Sequence, residues 1–344
     1  MTAMPDENPL LIVKDLKKYY PVKGGIITHT VAQVKAVDGV SFFIKKGETL
    51  GLVGESGCGK STIGRQIVAL EKPTSGQIVF NGETISDKNS RELRPIRTQL
   101  QMVFQDSYSS LNPRKRVFDI LAQPMIYHKI VPRNGMDAEV ERLLDLVGLP
   151  KSSMQRFPHE FSGGQRQRIC IAKALSLQPS LIVCDEPVSA LDVSIQAQIL
   201  NLMRDLQKEL RLTYLFVGHG LGAVNYISDR IAVMYLGKIV EIAEAKELFA
   251  HPAHPYTRAL CAAVPNPDPD DRSKQFVLSG EVGIQTVKTG KSSENIGCRF
   301  CARCPAARLS CCEEEPELLP ISPGSSHFSA CPFASEEKPE GEKD

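Results

Sequence analysis

Gly54-Glu55-Ser56-Gly57-Cys58-Gly59-Lys60-Ser61 carries the densest chemistry in the chain. The spacing G-x-x-x-x-G-K-[ST] is that of a loop that cradles phosphates. Its glycines let backbone N–H groups turn toward one point, and a helix beginning at the loop's end adds partial positive charge there. Lys60 would reach the β- and γ-phosphates of a nucleotide. Ser61 would hold Mg²⁺, with Thr62 beside it. A ligand-free glycine-rich turn between a strand and a helix is the plainer alternative. The flanks suit either: Thr49 to Val53 reads as a buried strand and Ile63 to Leu70 as a helix. Downstream, Leu181-Ile-Val-Cys-Asp185-Glu186 is an apolar run ending in two acids. Such a run predicts a buried strand that presents carboxylates at its end. Asp185 would hold Mg²⁺, directly or through water, and Glu186 would orient and polarise an attacking water.

Between these elements lies Phe161-Ser162-Gly163-Gly164-Gln165, just ahead of a helix read from Ile169 to Leu177. Alone it could be a simple helix cap. Flanked as it is, it resembles the signature motif of ABC ATPases, LSGGQ, with Phe161 at the first position. Other stretches resemble the same family. Gln101 to Asp106 looks like its Q-loop, with Gln105 reaching Mg²⁺ and the lytic water. Ser189-Ala-Leu-Asp192 looks like its D-loop, and Thr213 to His219 like the strand that ends in its switch histidine. Tyr20, or its neighbour Tyr19, stands where the family stacks an aromatic ring on adenine. Gly220 departs from the pattern, since close relatives usually carry Asp after the histidine.

The resemblance implies an α/β fold of the P-loop NTPase class, with an inserted helical subdomain. It implies Glu186, His219 and Gln105 as catalytic residues. ATP would be held by Tyr20, Gly54, Glu55, Ser56, Gly57, Cys58, Gly59, Lys60, Ser61, Thr62, Gln105 and Asp185, and by Ser162, Gly163, Gly164 and Gln165. Mg²⁺ would sit on Ser61, Gln105 and Asp185. In the family two ATPs lie between two such domains, each site drawing its signature motif from the opposite chain. Hydrolysis there is mostly positioning and charge stabilisation.

The elements that must place these residues follow from the pattern. From about residue 10 to 100 short strands and turns surround the loop, with a charged segment, Ser86 to Arg97, leading to the Q-loop strand. Residues 106–165 read as helical; Val140, Leu143, Leu144 and Val147 share one helix face, and Gly148 ends it. The polar loop Ser107 to Lys115 lies where the family grips a helix of its membrane partner. From about 166 to 250 strands and helices alternate, and the apolar stripe from Ile195 to Leu210 is packing. The ATPase domain is expected over 10–260, a Cys-rich region over 261–334 and a disordered tail over 335–344. Pro265 to Asp271 reads as a linker.

The chain has 344 residues, 42% of them hydrophobic, and a net charge of +1. That length allows one large domain with an appendage. Near-neutral charge implies no strong pull on nucleic acid or anionic lipid, so no nucleic-acid partner is expected. No apolar run approaches ~18 residues, and Met1 to Asn8 lacks a signal-peptide layout. The expected location is the cytoplasmic face of the membrane, as a peripheral subunit.

Six of the ten cysteines fall between Cys298 and Cys331. Cys298-x₂-Cys301-x₂-Cys304-Pro305, then Cys311-Cys312 and Cys331-Pro332, resembles the ferredoxin-type run of iron–sulfur proteins. A cytosolic chain seldom uses such cysteines for structural disulfides, and thiolates suit a cluster or Zn²⁺. Cys170, Cys184 and Cys261 read as small residues packed in the core, and Cys58 as a tolerated residue of the phosphate loop. The same region, with Gly297 to Phe300, Arg303 to Pro305 and Glu313 to Pro316, resembles the C-terminal extension of oligopeptide/dipeptide-transporter ATPases. So do His254 to Thr257, Gly47 to Ser61, Gln105 to Pro113 and Cys184 to Asp192. Pro21 to Gly25 and Val34 to Ser41 are similar to the second ATPase subunit of such systems. This resemblance implies a [4Fe–4S] cluster on Cys298, Cys304, Cys311 and Cys331; Zn²⁺ and free thiols are the alternatives, and the extra Cys301 and Cys312 leave the ligand set open.

The function expected is ATP hydrolysis that energises import of di- or oligopeptides. The partners would be a sibling ATPase or a second copy, two transmembrane permeases and, indirectly, an external peptide-binding protein. The alternatives are import of nickel or another small solute, a soluble ABC ATPase outside transport, and a catalytically silent subunit. The intact Lys60, Asp185, Glu186, Gln105 and His219 argue against the last.

Overall fold

In the computed structural model, residues 9–24, 29–263, 286–288 and 297–334 are described. Two long strands come first, β1 (Leu11–Gly24) and β2 (His29–Ile44), then β3 (Thr49–Val53) and helix α1 (Lys60–Ile67). Next are β4 (Ser75–Phe80), β5 (Glu83–Thr84), α2 (Ser90–Gln99) and β6 (Leu100–Val103). Helices α3 (Val117–His128), α4 (Met136–Leu146) and α5 (Gly163–Leu175) follow. Strands and helices then alternate through β7 (Leu181–Asp185), α6 (Val193–Leu210), β8 (Thr213–Gly218), α7 (Leu221–Ile227), β9 (Arg230–Tyr235) and β10 (Lys238–Glu244). After α8 (Ala245–Ala250) and α9 (Pro255–Ala262) come three short strands, β11 (Thr286–Lys288), β12 (Leu319–Pro320) and β13 (Phe328–Ser329). The proposed linker and the acidic tail lie outside the described residues.

One sheet runs β11-β2-β1-β4-β5 and is antiparallel; the other runs β12-β13-β10-β9-β3-β8-β7-β6. In the second, β3 pairs parallel with β8 and β9, and β7 pairs parallel with β6 and β8. Strands β3, β7 and β8 are buried along their whole length, as continuous apolar runs in a sheet covered on both faces should be. Their side chains still alternate between two cores. Tyr214 and Phe216 pack toward α5 and α6, whereas Leu215 and Val217 pack toward β1, β2 and α1.

Two segments differ from the sequence reading. The first strands are far longer than expected, 14 and 16 residues, and several register shifts interrupt their ladder. The charged segment before the Q-loop holds a helix, α2. Its start was legible: Asn89 accepts from the Arg91 and Glu92 N–H groups, and Glu92 accepts in return from the Asn89 N–H. The face of Val140, Leu143, Leu144 and Val147 is fully buried as read, and Gly148 follows with φ 68°.

Candidate ATP site

The parallel strands β3, β6, β7 and β8 release their chemistry at their carboxyl ends, where open α/β sheets bind ligands. From β3 comes the P-loop. Gly59 has φ 108°, and a Cβ there would lie 2.1 Å from the Ala36 carbonyl oxygen, so only glycine fits. Lys60 opens α1 and is buried, and its Nζ donates to the carbonyls of Gly54 at 2.7 Å and Glu55 at 3.0 Å. Cys58 is buried below the loop, and burial pushes its thiol pKa up.

Ser61 Oγ donates to Asp185 Oδ1 at 2.8 Å, so the hydroxyl and carboxylate assigned to Mg²⁺ are already neighbours. Burial, and then the Glu186 charge, raise the Asp185 pKa, while Ser61 and the nearby cations oppose the rise. Glu186 follows with φ 48°, a backbone region that costs a non-glycine residue roughly 1–3 kcal/mol. Its N–H donates to the Val217 carbonyl at 2.9 Å, and its carbonyl accepts from Ser189 Oγ at 3.1 Å. Thus held, Oε2 accepts from Gln105 Nε2 at 2.9 Å and stands 3.3 Å from His219 Nδ1. The three residues assigned to catalysis arrive from β6, β7 and β8 and converge on one carboxylate oxygen.

Ser162 and Gln165 form a reciprocal cap at the start of α5: Gln165 Oε1 accepts from the Ser162 N–H at 3.1 Å, and Ser162 Oγ from the Gln165 N–H at 3.4 Å. A Cβ on Gly164 would lie 2.5 Å from Ile195, so that glycine lets α5 approach α6. Phe161 is buried with the Arg156 guanidinium over its ring, 4.4 Å from the centroid. Among the described residues no hydrogen bond or ion pair joins Ser162, Gly163, Gly164 or Gln165 to the P-loop of the same chain.

The two tyrosines separate. Tyr19 points to Asp38 and bonds it through its hydroxyl. Tyr20 is 37% exposed, and its hydroxyl donates to Glu71 at 2.6 Å. Thr62 interacts with the Tyr20 hydroxyl, so Tyr20 is the ring beside the P-loop helix. Gly220 caps α7 with no side-chain bond, and His219 is 59% exposed.

At the other end of the sheet, β13 pairs with β10 and Phe300 is buried among Tyr235, Tyr256 and His254. Cys298, Cys304, Cys311 and Cys331 are free thiols lining one cavity of about 1470 Å³. Burial first, and then neighbouring thiols of the same set, push up the pKa of Cys298, Cys304 and Cys331. The sequence reading disfavoured disulfides here, yet Cys301 and Cys312 are joined. Two turns, Cys301–Arg303 and Leu309–Cys312, bring their Cα atoms to 6.2 Å, a normal bridging span. Among the described residues, no group of three or more His, Cys, Asp or Glu side chains stands ready around a single metal ion.

The family described as ABC transporter matches residues 37–189. The oligopeptide transport ATP-binding protein AppF of Bacillus subtilis is 51% identical over 334 residues, 96% of this chain and 99% of that protein. The chain belongs to the family of ABC transporter ATP-binding proteins. A second family, described as the oligopeptide/dipeptide transporter C-terminal region, matches residues 240–311 of this ABC protein. A putative peptide import ATP-binding protein of Brucella ovis is 47% identical over 94% of this chain and 98% of that one. Among solved structures, the ATP-binding cassette MJ0796, a dimer in a post-hydrolysis state with ADP and Pi, superposes with a TM-score of 0.61 at 28% identity. It covers 68% of this chain and 98% of that chain. The cassette cbiO1 of Clostridium perfringens, part of the transporter complex cbiONQ, gives 0.60 at 26% identity, over 72% and 92%.

Two site contacts of this ABC protein had no signal in the sequence. Arg303 forks onto the P-loop residue Glu55, and Arg299 bonds both Asp38 and the Leu236 carbonyl. Arg303 and Glu55, and Arg299 and Asp38, are more than 200 residues apart in sequence, and no local pattern marks the partner of either arginine.

Proposed function

We propose that this chain is the ATP-hydrolysing subunit of a membrane transporter that imports peptides. The observation that carries this is the meeting of Gln105 and His219 on Glu186, in a chain whose other end matches the oligopeptide/dipeptide transporter C-terminal region. Glu186 is the base: its carboxylate draws a proton from the water aimed at the γ-phosphate, and Gln105 and His219 hold the water and the leaving phosphate. Lys60 and the loop N–H groups take the phosphate charge. Tyr20 stacks on adenine. Ser61, Asp185 and Gln105 hold Mg²⁺, which supplies charge neutralisation at the phosphates. Ser162 to Gln165 serve the site of an opposite chain, a sibling ATPase or a second copy; the absence of any bond to the P-loop of their own chain, among the described residues, supports this.

No helix among the described residues is long and apolar enough to cross a membrane, so the path for peptide belongs to permease subunits. We assign the docking side to the loop after Gln105, at the cytoplasmic face. Its Tyr108 is 56% exposed beside Arg166, and its Ser110 carbonyl is anchored by Lys173 Nζ at 3.1 Å. An external binding protein would deliver the peptide.

We place the ATPase domain at 10–260 and the Cys-rich region at 261–334. We further assign Cys298, Cys304, Cys311 and Cys331 to a [4Fe–4S] cluster, with Zn²⁺ as the alternative. The fit rests on these four free, soft donors around one cavity, which the free Cys261 on α9 also lines, with Cys301 and Cys312 already tied to each other. A bound cluster would supply a positive centre that holds the four thiolates and ties their turns together.

The test uses the chain co-expressed with its permeases and reconstituted in vesicles. Peptide with its binding protein should raise ATP turnover, and Lys60→Ala should abolish it. ATP turnover indifferent to both peptide and permease would sink the transport reading. Iron, labile sulfide and zinc per chain, measured after purification without oxygen, decide between cluster, zinc and free thiols.

A further inference from the structure

Glu55 places a carboxylate inside an eight-residue loop built to bind an anion. Unpaired, that charge would repel the phosphates it sits beside. Arg303 answers it. Nη1 donates to Oε2 at 2.8 Å and Nη2 to Oε1 at 3.0 Å, a bidentate fork that fixes the carboxylate's plane as well as its place. The side chains are only 10% and 25% exposed, so solvent screens the pair weakly. The Glu55 N–H donates to the Tyr256 hydroxyl at 3.0 Å, and its carbonyl accepts from Lys60 Nζ at 3.0 Å. A shift of Glu55 therefore moves a partner of the phosphate-binding lysine.

Arg303 is itself held firmly. It ends the turn Cys301–Arg303, which follows the buried Phe300 and is bridged through Cys301 to Cys312. Its guanidinium lies 5.9 Å from the Tyr235 ring centroid. We propose that Arg303 is a positioning residue for the ATP site: it neutralises and aims Glu55, so that the cysteine-rich turns set how readily the P-loop accepts phosphates.

The inference rests on the ATPase reading. In the full chain, the KM and kcat for MgATP are measured for wild type, Arg303→Met, Arg303→Lys, Glu55→Gln and the Glu55→Gln/Arg303→Met double variant. Arg303→Met should raise KM about tenfold with little change in kcat, because it leaves a bare carboxylate in the loop. Arg303→Lys should recover part of that loss. The double variant should recover most of it, since removing the carboxylate removes the repulsion. A merely structural Arg303 would lower thermal stability without rescue by Glu55→Gln. An unchanged KM in Arg303→Met, or a double variant no better than Arg303→Met, overturns the proposal while wild type still turns over ATP. A wild type that binds no ATP overturns the ATPase reading and this inference with it.

Discussion

The ATP site and the cysteine cavity sit on one sheet but are built in opposite ways. The phosphate loop, Glu186 and His219 hang from the ends of fully buried strands, Gln105 follows the half-buried β6, and Tyr20 lies within β1. Glu186, Gln105 and His219 meet because β6, β7 and β8 run parallel and end together. The four cysteines lie in turns and in the segment just after β13, with β13 as their tie to the sheet. The first site is pre-organised by hydrogen-bonded backbone, and the second gathers thiols that would repel one another once ionised. The lesson is that rigid strand ends set a site's geometry in advance, whereas turns leave their groups to be gathered by the packing of distant segments.

The comparison breaks first at Glu186. Glu186→Gln should cut kcat by roughly 10²–10⁴ while ATP still binds and the closed dimer accumulates. Steady-state turnover equal to wild type would remove Glu186 as the base. On the proposed cluster assignment, the same variant should leave iron and sulfide content untouched, because the residues assigned to the two sites do not overlap. Cys298→Ser is the reciprocal case: on the same assignment, metal content should fall before ATP affinity changes. Lost ATP affinity at unchanged metal content would contradict the separation of the two sites.

A smaller effect comes from the joint between the regions. His254 is buried and its Nδ1 accepts from the Tyr256 N–H, which needs a neutral ring; burial lowers its pKa to about 4, with Glu241 opposing and Arg258 assisting. A histidine with a depressed folded pKa binds protons more readily when unfolded. Its stabilising share is complete above pH ~6.5 and is lost as pH falls toward about 4. The full effect is on the order of 3 kcal/mol. His254→Asn keeps a capping acceptor that does not titrate, so urea unfolding between pH 7.5 and 5 should show a flatter slope; an unchanged slope would assign the pH dependence elsewhere.

The smallest effect is at Gly220. A side chain there meets nothing within 4 Å, and α7 starts uncapped. Gly220→Asp should stabilise the protein by a few tenths of a kcal/mol through an N-cap bond, visible as a small rise in Tm. A fall in Tm would show that the added charge beside Glu186 outweighs the cap.

Much of the ATP site was legible because its motifs encode short-range geometry. The Ser162–Gln165 cap and the continuous apolar runs of β3, β7 and β8 are each written in residues within a few positions of one another. The long β1 and β2 were read too short because charged residues on their exposed faces hide the period of a half-covered strand. Helix α2 was read only as a charged segment although Asn89 and Glu92 spelled its cap, because just two of its residues, Leu93 and Ile96, are buried and its apolar stripe is short. The sequence left Tyr19 and Tyr20 both open; only pairing with Asp38 and Glu71 separated them.

By itself the sequence determined the chemistry: a phosphate loop, two acids at a strand end, a second cradle and a set of thiols. Tertiary structure alone decided which of these touch. It joined Cys301 to Cys312, left five other thiols, Cys261 among them, around one cavity, and brought Arg303 to Glu55 across 248 residues. The reason is physical: local hydrogen bonds and backbone angles are written in neighbouring residues, whereas contacts between distant segments exist only after buried faces have packed and fixed the turns they carry.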